Sequence, residues 1–405
     1  MKKETFLIKI SISAIITLVF SALLITSCYE DITLEEPEQE NQLKSLGMFP
    51  DFEEGVAYHY KDMVNNDSIE IIIPELWNGA FLVYAHGYVD PNLPIALPND
   101  AIGNIPIKQL LTRPEYQLGF GYASTSYSEN GFAVKEGVMD VMFLGKMLKA
   151  HFKPNKIFLG GVSEGGLVAL KTLEKKQHIF DAGLVSCAPI GNFSKQLQYL
   201  GDFHVLFKHF FAPELAFASI NIGSPEYVSP ELMHAWTYGD LKLILGGIMN
   251  SNIDKLKNVL DIANVPYPPS ITNEMLIGLT LEVLRFNIMA TNDMIKRVHG
   301  VPYNNIGREY IGDPDVIRIK GDKQAAHRVK LLYETSGKPK VPVVLMHTQG
   351  DHVVPVWHIN SYMQKVNLLG MNDYVDYIPI INYGHCNYTF DEVLLGITAM
   401  IQAAN

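Results

Sequence analysis

Short apolar stretches alternate with longer amphipathic stretches over residues 55 to 187, which is the pattern of a parallel sheet with crossover helices. The apolar stretches are short enough to be buried strands, whereas residues 134 to 152 repeat apolar positions at near-helical spacing. The pattern therefore predicts an α/β fold. We expect strands at residues 56–64, 69–74, 80–85, 119–124, 157–160 and 183–187, and helices at residues 134–152 and 165–176.

The pattern changes to long helical segments after residue 190, where prolines interrupt the chain and no series of strands is evident. Strand patterns return at residues 341–346 and 374–381, and a closing helix is expected at residues 391–404. The chain therefore divides into one core with an insertion. We expect the core at residues 51–190 and 338–405, and a large helical lid insertion at residues 191–337.

The first 27 residues have the layout of a secretory signal peptide, with lysines ahead of an uncharged apolar run. The run ends in Leu-Ile-Thr-Ser before Cys28, and this ending resembles the lipobox of bacterial lipoproteins, whose cysteine carries a lipid. An uncleaved transmembrane anchor is the alternative, because an apolar run of this length could just span a bilayer. Both interpretations place the remainder of the chain outside the cytoplasm.

Residues 28–50 are rich in acidic side chains and carry no basic residue before Lys44, so we expect an acidic tether that does not order itself on a core. In Gram-negative lipoproteins, acidic residues after the lipidated cysteine resemble an outer-membrane or surface export signal, although a plain solvated linker is the alternative. We expect a cell-envelope lipoprotein, held in the outer membrane by a lipid on Cys28. Whether it faces the periplasm or the cell surface is open.

The composition excludes several classes of protein. Of 405 residues, 48% are hydrophobic and 19% are charged, so a folded core is expected. Acidic residues outnumber basic ones by 43 to 32, and a formal charge of −11 offers no general field for nucleic acid. Three cysteines are too few for a disulfide framework, and three histidines near residue 350 lack the partners of a zinc site. We expect no metal, no cofactor and no nucleic-acid partner.

A G-x-S-x-G run at residues 161–165 carries the candidate chemistry. It follows a predicted strand and begins a predicted helix. A sharp turn between a strand and a helix exposes a serine nucleophile. A serine hydroxyl needs a base to take its proton and a carboxylate to orient that base. Asp351 and His385 each follow a predicted strand and come in the order that such a turn requires. We therefore expect Ser163 as nucleophile, His385 as base and Asp351 as the orienting acid.

The segment His86-Gly87-Tyr88 follows the predicted strand at residues 80–85. A loop in this place supplies a second backbone donor in acyl-transfer folds. We expect an oxyanion hole built from the N–H groups of Tyr88 and of Glu164, the residue after the nucleophile. His86 is expected to orient this loop.

These motifs, in this order, resemble the α/β-hydrolase superfamily, in its esterase and prolyl-oligopeptidase-like branch. The resemblance covers about residues 55–190 and 340–404. It implies an eight-stranded, mostly parallel sheet flanked by helices, with the helical lid inserted after the sixth strand. In that strand order, Cys187 and Cys386 end strands six and eight and lie roughly 10 Å apart, which is wider than a disulfide tolerates. A bridge between them is therefore not expected.

The sequence thus predicts a serine hydrolase that cleaves a carboxylic ester in a small-molecule or oligomeric substrate, because the lidded bacterial members of the superfamily are mostly esterases. A peptidase or amidase of the same fold is the alternative, since no residue here discriminates between the two bonds. A non-catalytic surface lipoprotein that binds a nutrient or a partner is a third possibility.

Overall fold

The computed structural model describes residues 52–64, 67–175, 178–312 and 314–405. The predicted signal peptide, Cys28 and the predicted tether lie outside the described residues. Within the described ranges, no helix is both long and apolar enough to cross a membrane.

One eight-stranded sheet lies at the centre of the fold, and a separate hairpin of two very short strands lies beside it. The strands are β1 (Tyr58–Val64), β2 (Asp67–Ile73), β3 (Ala80–Ala85), β4 (Ala101–Ile102), β5 (Ile105–Pro106), β6 (Gly121–Thr125), β7 (Lys156–Val162), β8 (Ala182–Ser186), β9 (Val343–Gly350) and β10 (Val375–Tyr383).

The order across the large sheet is β1-β2-β6-β3-β7-β8-β9-β10, and β4 pairs with β5 in the hairpin. The pairings of β2 with β1 and with β6 are antiparallel. The remaining pairings of the large sheet, from β6 to β10, are parallel. The predicted α/β-hydrolase fold class, with its mostly parallel eight-stranded sheet, is confirmed.

Helices cover both faces of the sheet and fill the chain between β8 and β9. They are α1 (Ile107–Thr112), α2 (Val134–Phe152), α3 (Glu164–Leu173), α4 (Phe193–Phe210), α5 (Ala212–Phe217), α6 (Pro230–Tyr238), α7 (Leu241–Asn250), α8 (Ile253–Ile262), α9 (Asn273–Met289), α10 (Thr291–Val298), α11 (Lys323–Tyr333), α12 (Trp357–Leu368) and α13 (Phe390–Ala403).

The central strands are buried on both faces, as a parallel sheet between two helical layers requires. Helices α2 and α3 pack on one face, and α1 and α13 pack on the other. On the second face, Leu82, Leu184 and Met346 share a hydrophobic cluster with Leu111 of α1 and Ile397 of α13. Burial between two layers explains why these strands are almost continuously apolar in sequence.

Helices α4 to α11 lie in the segment that the sequence predicts to be a helical lid. They enclose a hydrophobic cluster of their own, to which Phe203, Leu245, Leu256 and Val283 belong. The helical content of this segment agrees with the sequence pattern, while its role as a lid stays a prediction.

Arg297 on α10 joins this helical segment to the rest of the molecule. Its guanidinium contacts the Asp293 carboxylate at 2.9 Å, the Glu136 carboxylate on α2 at 3.2 Å and the Glu129 carboxylate at 3.1 Å. It also donates to the Asn130 carbonyl at 2.7 Å. Charge pairing of one cation with three carboxylates thereby links α10 to α2 and to the loop before it.

A disulfide joins Cys187 to Cys386, and their Cα atoms lie 5.4 Å apart. The expectation that these cysteines are too far apart is therefore wrong. Strand β9 does separate β8 from β10, but both cysteines lie beyond the strand ends, where the spacing between strands does not apply. The loop after β10 turns back over β9, so that the Met346 carbonyl accepts both the Cys187 N–H and the Tyr388 hydroxyl.

Candidate active site

Ser163 lies at a tight turn between β7 and α3, with φ 54° and ψ −125°. Two flanking positions leave no room for a side chain. A Cβ on Gly161 would come within 2.2 Å of the Gly165 carbonyl oxygen, and a Cβ on Gly165 within 2.1 Å of the Ala85 carbonyl oxygen. Close approach of backbone to backbone therefore explains both glycines of the G-x-S-x-G run.

The structure brings Ser163, His385 and Asp351 into one hydrogen-bonded chain. Ser163 Oγ lies 2.9 Å from His385 Nε2, and His385 Nδ1 lies 2.8 Å from Asp351 Oδ2. Asp351 is fully buried, and its Oδ1 accepts the N–H groups of Val353 and Val354. Because an ionised carboxylate only accepts, Nδ1 carries the proton and the Nε2 lone pair faces the serine hydroxyl.

The charges of His385 and Asp351 stabilise each other in this buried place. Burial favours the neutral form of each group, but the opposite charge of the partner and the hydrogen bond between them outweigh it. The pKa of Asp351 consequently lies below its ordinary value, and the pKa of His385 lies above its ordinary value. The pair is therefore suited to hold a positive charge on the imidazole.

The turn His86-Gly87-Tyr88 lies directly against Ser163, since a Cβ on Gly87 would come within 3.3 Å of the Ser163 Cβ. Tyr127 holds this turn, because its Oη donates to the His86 carbonyl at 3.1 Å and its ring stacks on the imidazole of His86. Neither the Tyr88 nor the Glu164 N–H donates in the turn, loop and cap hydrogen bonds of the described residues. Their assignment to an oxyanion hole stays a prediction.

The side chain of Glu164 is buried behind the nucleophile, and sequence reasoning considered only its backbone. Burial raises the pKa of this carboxyl well above its ordinary value, although Arg297 acts in the opposite direction. One of its oxygens, Oε2, has no hydrogen-bond partner among the described residues.

A cavity of about 430 Å³ opens beside Ser163 and His385. Of the residues predicted from sequence, Ser163, His385 and Tyr88 line it. Its size is typical of small-molecule sites. Most of its remaining wall is apolar and comes from β3, β7, β8, β9, α1 and α13, through Leu82, Leu110, Leu111, Val162, Leu184, Met346, Val393 and Ile397.

Helix α9 supplies residues at the cavity that sequence reasoning missed. Glu282 and Arg285 both line the cavity, and each is held by a partner from another element. Glu282 Oε2 lies 2.6 Å from His352 Nε2, and Arg285 Nε lies 3.1 Å from Asp90 Oδ1. Their spacing of three residues on a helix was the one available signal, and it is too common to single them out.

The β4–β5 hairpin was also missed, and it contributes Ala101 and Ile102 to the cavity, together with Asp100, which directly precedes β4. The Asp100 carboxylate accepts the hydroxyl hydrogen of Tyr84 at 2.9 Å. Strands of two residues are too short to show any periodicity, so no sequence pattern could have found them.

The disulfide lies next to the base, with Cys386 Sγ 3.6 Å from His385 Nε2. In the described residues, His385 and the two sulfurs are also close enough together to be considered as metal ligands. The sulfurs are bonded to each other, however, and therefore offer no thiolate.

The fold is similar to those of several solved hydrolases. Feruloyl esterase B from Aspergillus oryzae is 12% identical, with 86% of this chain and 80% of that chain covered and a TM-score of 0.47. A bacterial membrane phospholipase A is 11% identical, with 97% of each chain covered and a TM-score of 0.39. The chain also spans 39% of an acylaminoacyl peptidase from Pyrococcus horikoshii, at 13% identity, 84% coverage of this chain and a TM-score of 0.38.

No model of a protein family matches the chain, and no curated protein sequence matches it. Identities as low as those of the solved structures say nothing about the substrate of this chain. Its chemistry must be inferred from its own residues.

Proposed function

We propose that this chain is a serine hydrolase that cleaves a carboxylic ester through an acyl-enzyme on Ser163. The observation that carries the proposal is the chain of two hydrogen bonds from Ser163 Oγ through His385 to the buried Asp351. A base that takes the serine proton activates the hydroxyl as a nucleophile, and an ionised acid bonded to that base orients it.

In the proposed first step, His385 Nε2 takes the Ser163 proton as Oγ attacks the carbonyl carbon of the ester. The carbonyl oxygen becomes an oxyanion that accepts hydrogen bonds from the Tyr88 and Glu164 amides. Asp351 stabilises the imidazolium, which then donates its proton to the departing alcohol oxygen. In the second step water attacks the acyl carbon while His385 Nε2 takes one of its protons. The imidazolium then returns this proton to Ser163 Oγ as the bond between Oγ and the acyl carbon breaks, which releases the carboxylic acid and the free enzyme.

The choice of an ester over an amide rests on the resemblance to lidded bacterial esterases. It is tested by comparing aryl esters with prolyl and aminoacyl amides as substrates. Rapid cleavage of the amides without ester turnover would overturn the ester assignment, while the acyl-enzyme mechanism on Ser163 would stand.

The mechanism itself is tested with a fluorophosphonate probe and the Ser163→Ala variant. We expect the probe to label the wild type at Ser163, and we expect Ser163→Ala to lose labelling and at least about 10³-fold in ester turnover. Ser251→Ala, at the exposed end of α7, is the matched control and should behave as wild type. A wild type that the probe does not label, or Ser163→Ala with full turnover, contradicts the proposal and favours a binding protein.

We also propose that the mature chain is anchored in the outer membrane by a lipid on Cys28. The support comes from the sequence alone, through the lipobox-like ending of the apolar run and the acidic stretch after it. Metabolic labelling with a fatty-acid analogue should mark the wild type and not Cys28→Ala. Equal labelling of both would refute the anchor.

A further inference from the structure

The cavity runs from Ser163 along the sheet face that is turned away from α3. In the register of the sheet, Tyr84 of β3, Gly160 of β7 and Leu184 of β8 form one row across three neighbouring strands. Val162 and Ser186 belong to the next row, nearer to Ser163. All five residues line the cavity, which therefore extends over two rows, or about 7 Å of strand.

Gly160 leaves one position of the sheet wall without a side chain, and the turn at Ser163 does not require a glycine there. A Cβ on Gly160 would meet Leu82 Cδ2 at 3.2 Å, which is the movable end of a side chain. A Cβ on the neighbouring Gly161 would meet backbone at 2.2 Å, on the opposite face. Gly161 is thus needed for the fold, whereas Gly160 leaves space in the cavity.

The side of the cavity around Gly160 is mostly apolar. Leu111 of α1 and Val393 and Ile397 of α13 face the sheet across it. The charged residues Asp100, Glu282 and Arg285 line the cavity from the position before β4 and from α9. We call this side of the cavity the Gly160 arm. The described residues that the sheet, α1 and α13 contribute to it are uncharged, although the hydroxyl of Tyr84 bonds the Asp100 carboxylate. The aliphatic part of the arm, which faces Leu111, Val393 and Ile397, favours an apolar group.

The chemistry of the reaction decides which half of an ester enters this arm. The departing alcohol takes its proton from His385 Nε2, so it must leave on the His385 side of Ser163. On that side lies a second cleft of about 420 Å³, lined by His385 together with Glu282, His352 and Asn387. These side chains suit a polar alcohol. The arm past Gly160 is therefore left for the acyl group.

We propose that the substrate is an ester of an apolar acyl chain longer than acetyl, and that Gly160 determines the acyl length that the enzyme accepts. The chain would run from Ser163 past Gly160 between the sheet and helices α1 and α13. This inference rests on the proposed function, because it takes Ser163 as the acylated residue.

The test is a series of 4-nitrophenyl esters from acetate to dodecanoate, measured as kcat/KM. For the wild type we expect about a fourfold rise per added methylene until the arm is filled, as burial of a methylene from water predicts. Gly160→Val should lower octanoate turnover at least about tenfold more than it lowers acetate turnover, so that the ratio of the two kcat/KM values falls by that factor. Gly160→Ala should give an intermediate profile.

A second variant fills the same arm from the opposite wall, in case the strand does not tolerate valine. Val393→Phe on α13 should also lower the turnover of long esters selectively. Leu395→Phe on the same helix is the matched control, since Leu395 is 52% exposed and does not line the cavity. It should keep the wild-type profile.

The outcomes separate this inference from the proposed function. Fluorophosphonate labelling at Ser163 with a kcat/KM that does not depend on acyl length would overturn the acyl arm and leave the serine hydrolase intact. A folded Gly160→Val that loses the same factor on every ester would likewise overturn it. Absence of both labelling and ester turnover would refute the proposed function and the inference together.

Discussion

His385 and Asp351 stabilise each other's charged forms, and this has a measurable consequence for the pH dependence of the reaction. The base must be neutral to take a proton, so activity is lost as the pH falls through the pKa of His385. Because that pKa is raised above its ordinary value of 6.5, the loss should begin at a higher pH than for a free imidazole.

We expect Asp351→Asn to lower kcat by about 10⁴-fold, because the amide holds the imidazole in the wrong tautomer and removes the charge that stabilises the imidazolium. The remaining activity should show its acid limb at a lower pH than in the wild type. The measurement is kcat/KM against pH for both proteins. An unchanged limb would mean that Asp351 does not act on His385.

Tyr127 positions the turn that carries the Tyr88 amide. We expect Tyr127→Phe to lower kcat by about tenfold with little change in KM, since removal of the hydroxyl frees the His86 carbonyl and loosens a donor that acts on the transition state. Tyr267→Phe, whose hydroxyl bonds Asp261 in an exposed place, is the matched control. Equal effects of the two substitutions would contradict this role.

At the scale of elements, short apolar runs predicted the strands that surround Ser163, because these strands are buried on both faces. The strand expected at residues 157–160 is β7, which starts one residue earlier and ends two residues later. Helix α1 and the β4–β5 hairpin, with six and two residues per element, are too short for periodicity to detect. Ser163 and Asp351 directly follow β7 and β9, and His385 lies two residues after the end of β10. All three could therefore be chosen from sequence as residues at strand ends.

The disulfide could not be predicted, since its formation depends on how a loop returns over β9. We expect the double variant Cys187→Ala with Cys386→Ala to lose about 2–4 kcal/mol of unfolding free energy, because the bridge closes a very long loop. Ester turnover should also fall, because Cys386 adjoins His385. Urea unfolding and kcat measure the two effects. Turnover equal to wild type would show that the bridge is not needed to hold the base.

At the scale of the whole molecule, Arg297 balances acidic groups where the helical segment meets the rest of the fold. We expect Arg297→Met to cost about 3 kcal/mol of unfolding free energy, since it leaves the carboxylates of Asp293 and Glu136 without their cation. Arg113→Met is the control, because its pair with Glu115 is half exposed and should contribute less than about 1 kcal/mol. Equal losses in urea unfolding would argue against a special role for Arg297.

The overall class of the molecule followed from sequence, and the lining of its cavity did not. Alternation of strands and helices is a local property that burial imposes on each element. The approach of α9 to Ser163, through Glu282 and Arg285, joins residues more than a hundred positions apart. Such contacts depend on how the helical segment packs as a unit, and no local pattern records that packing.

The Cys187–Cys386 bridge encloses the whole chain between β8 and the loop of His385, a separation of 199 residues. A protease that cuts once at any point inside this loop leaves two fragments that remain covalently joined. The nicked protein should migrate as one species in electrophoresis without reductant, and as two after reduction. Ser163 and His385 would then stay on one connected molecule even when the helical segment between them has been cleaved.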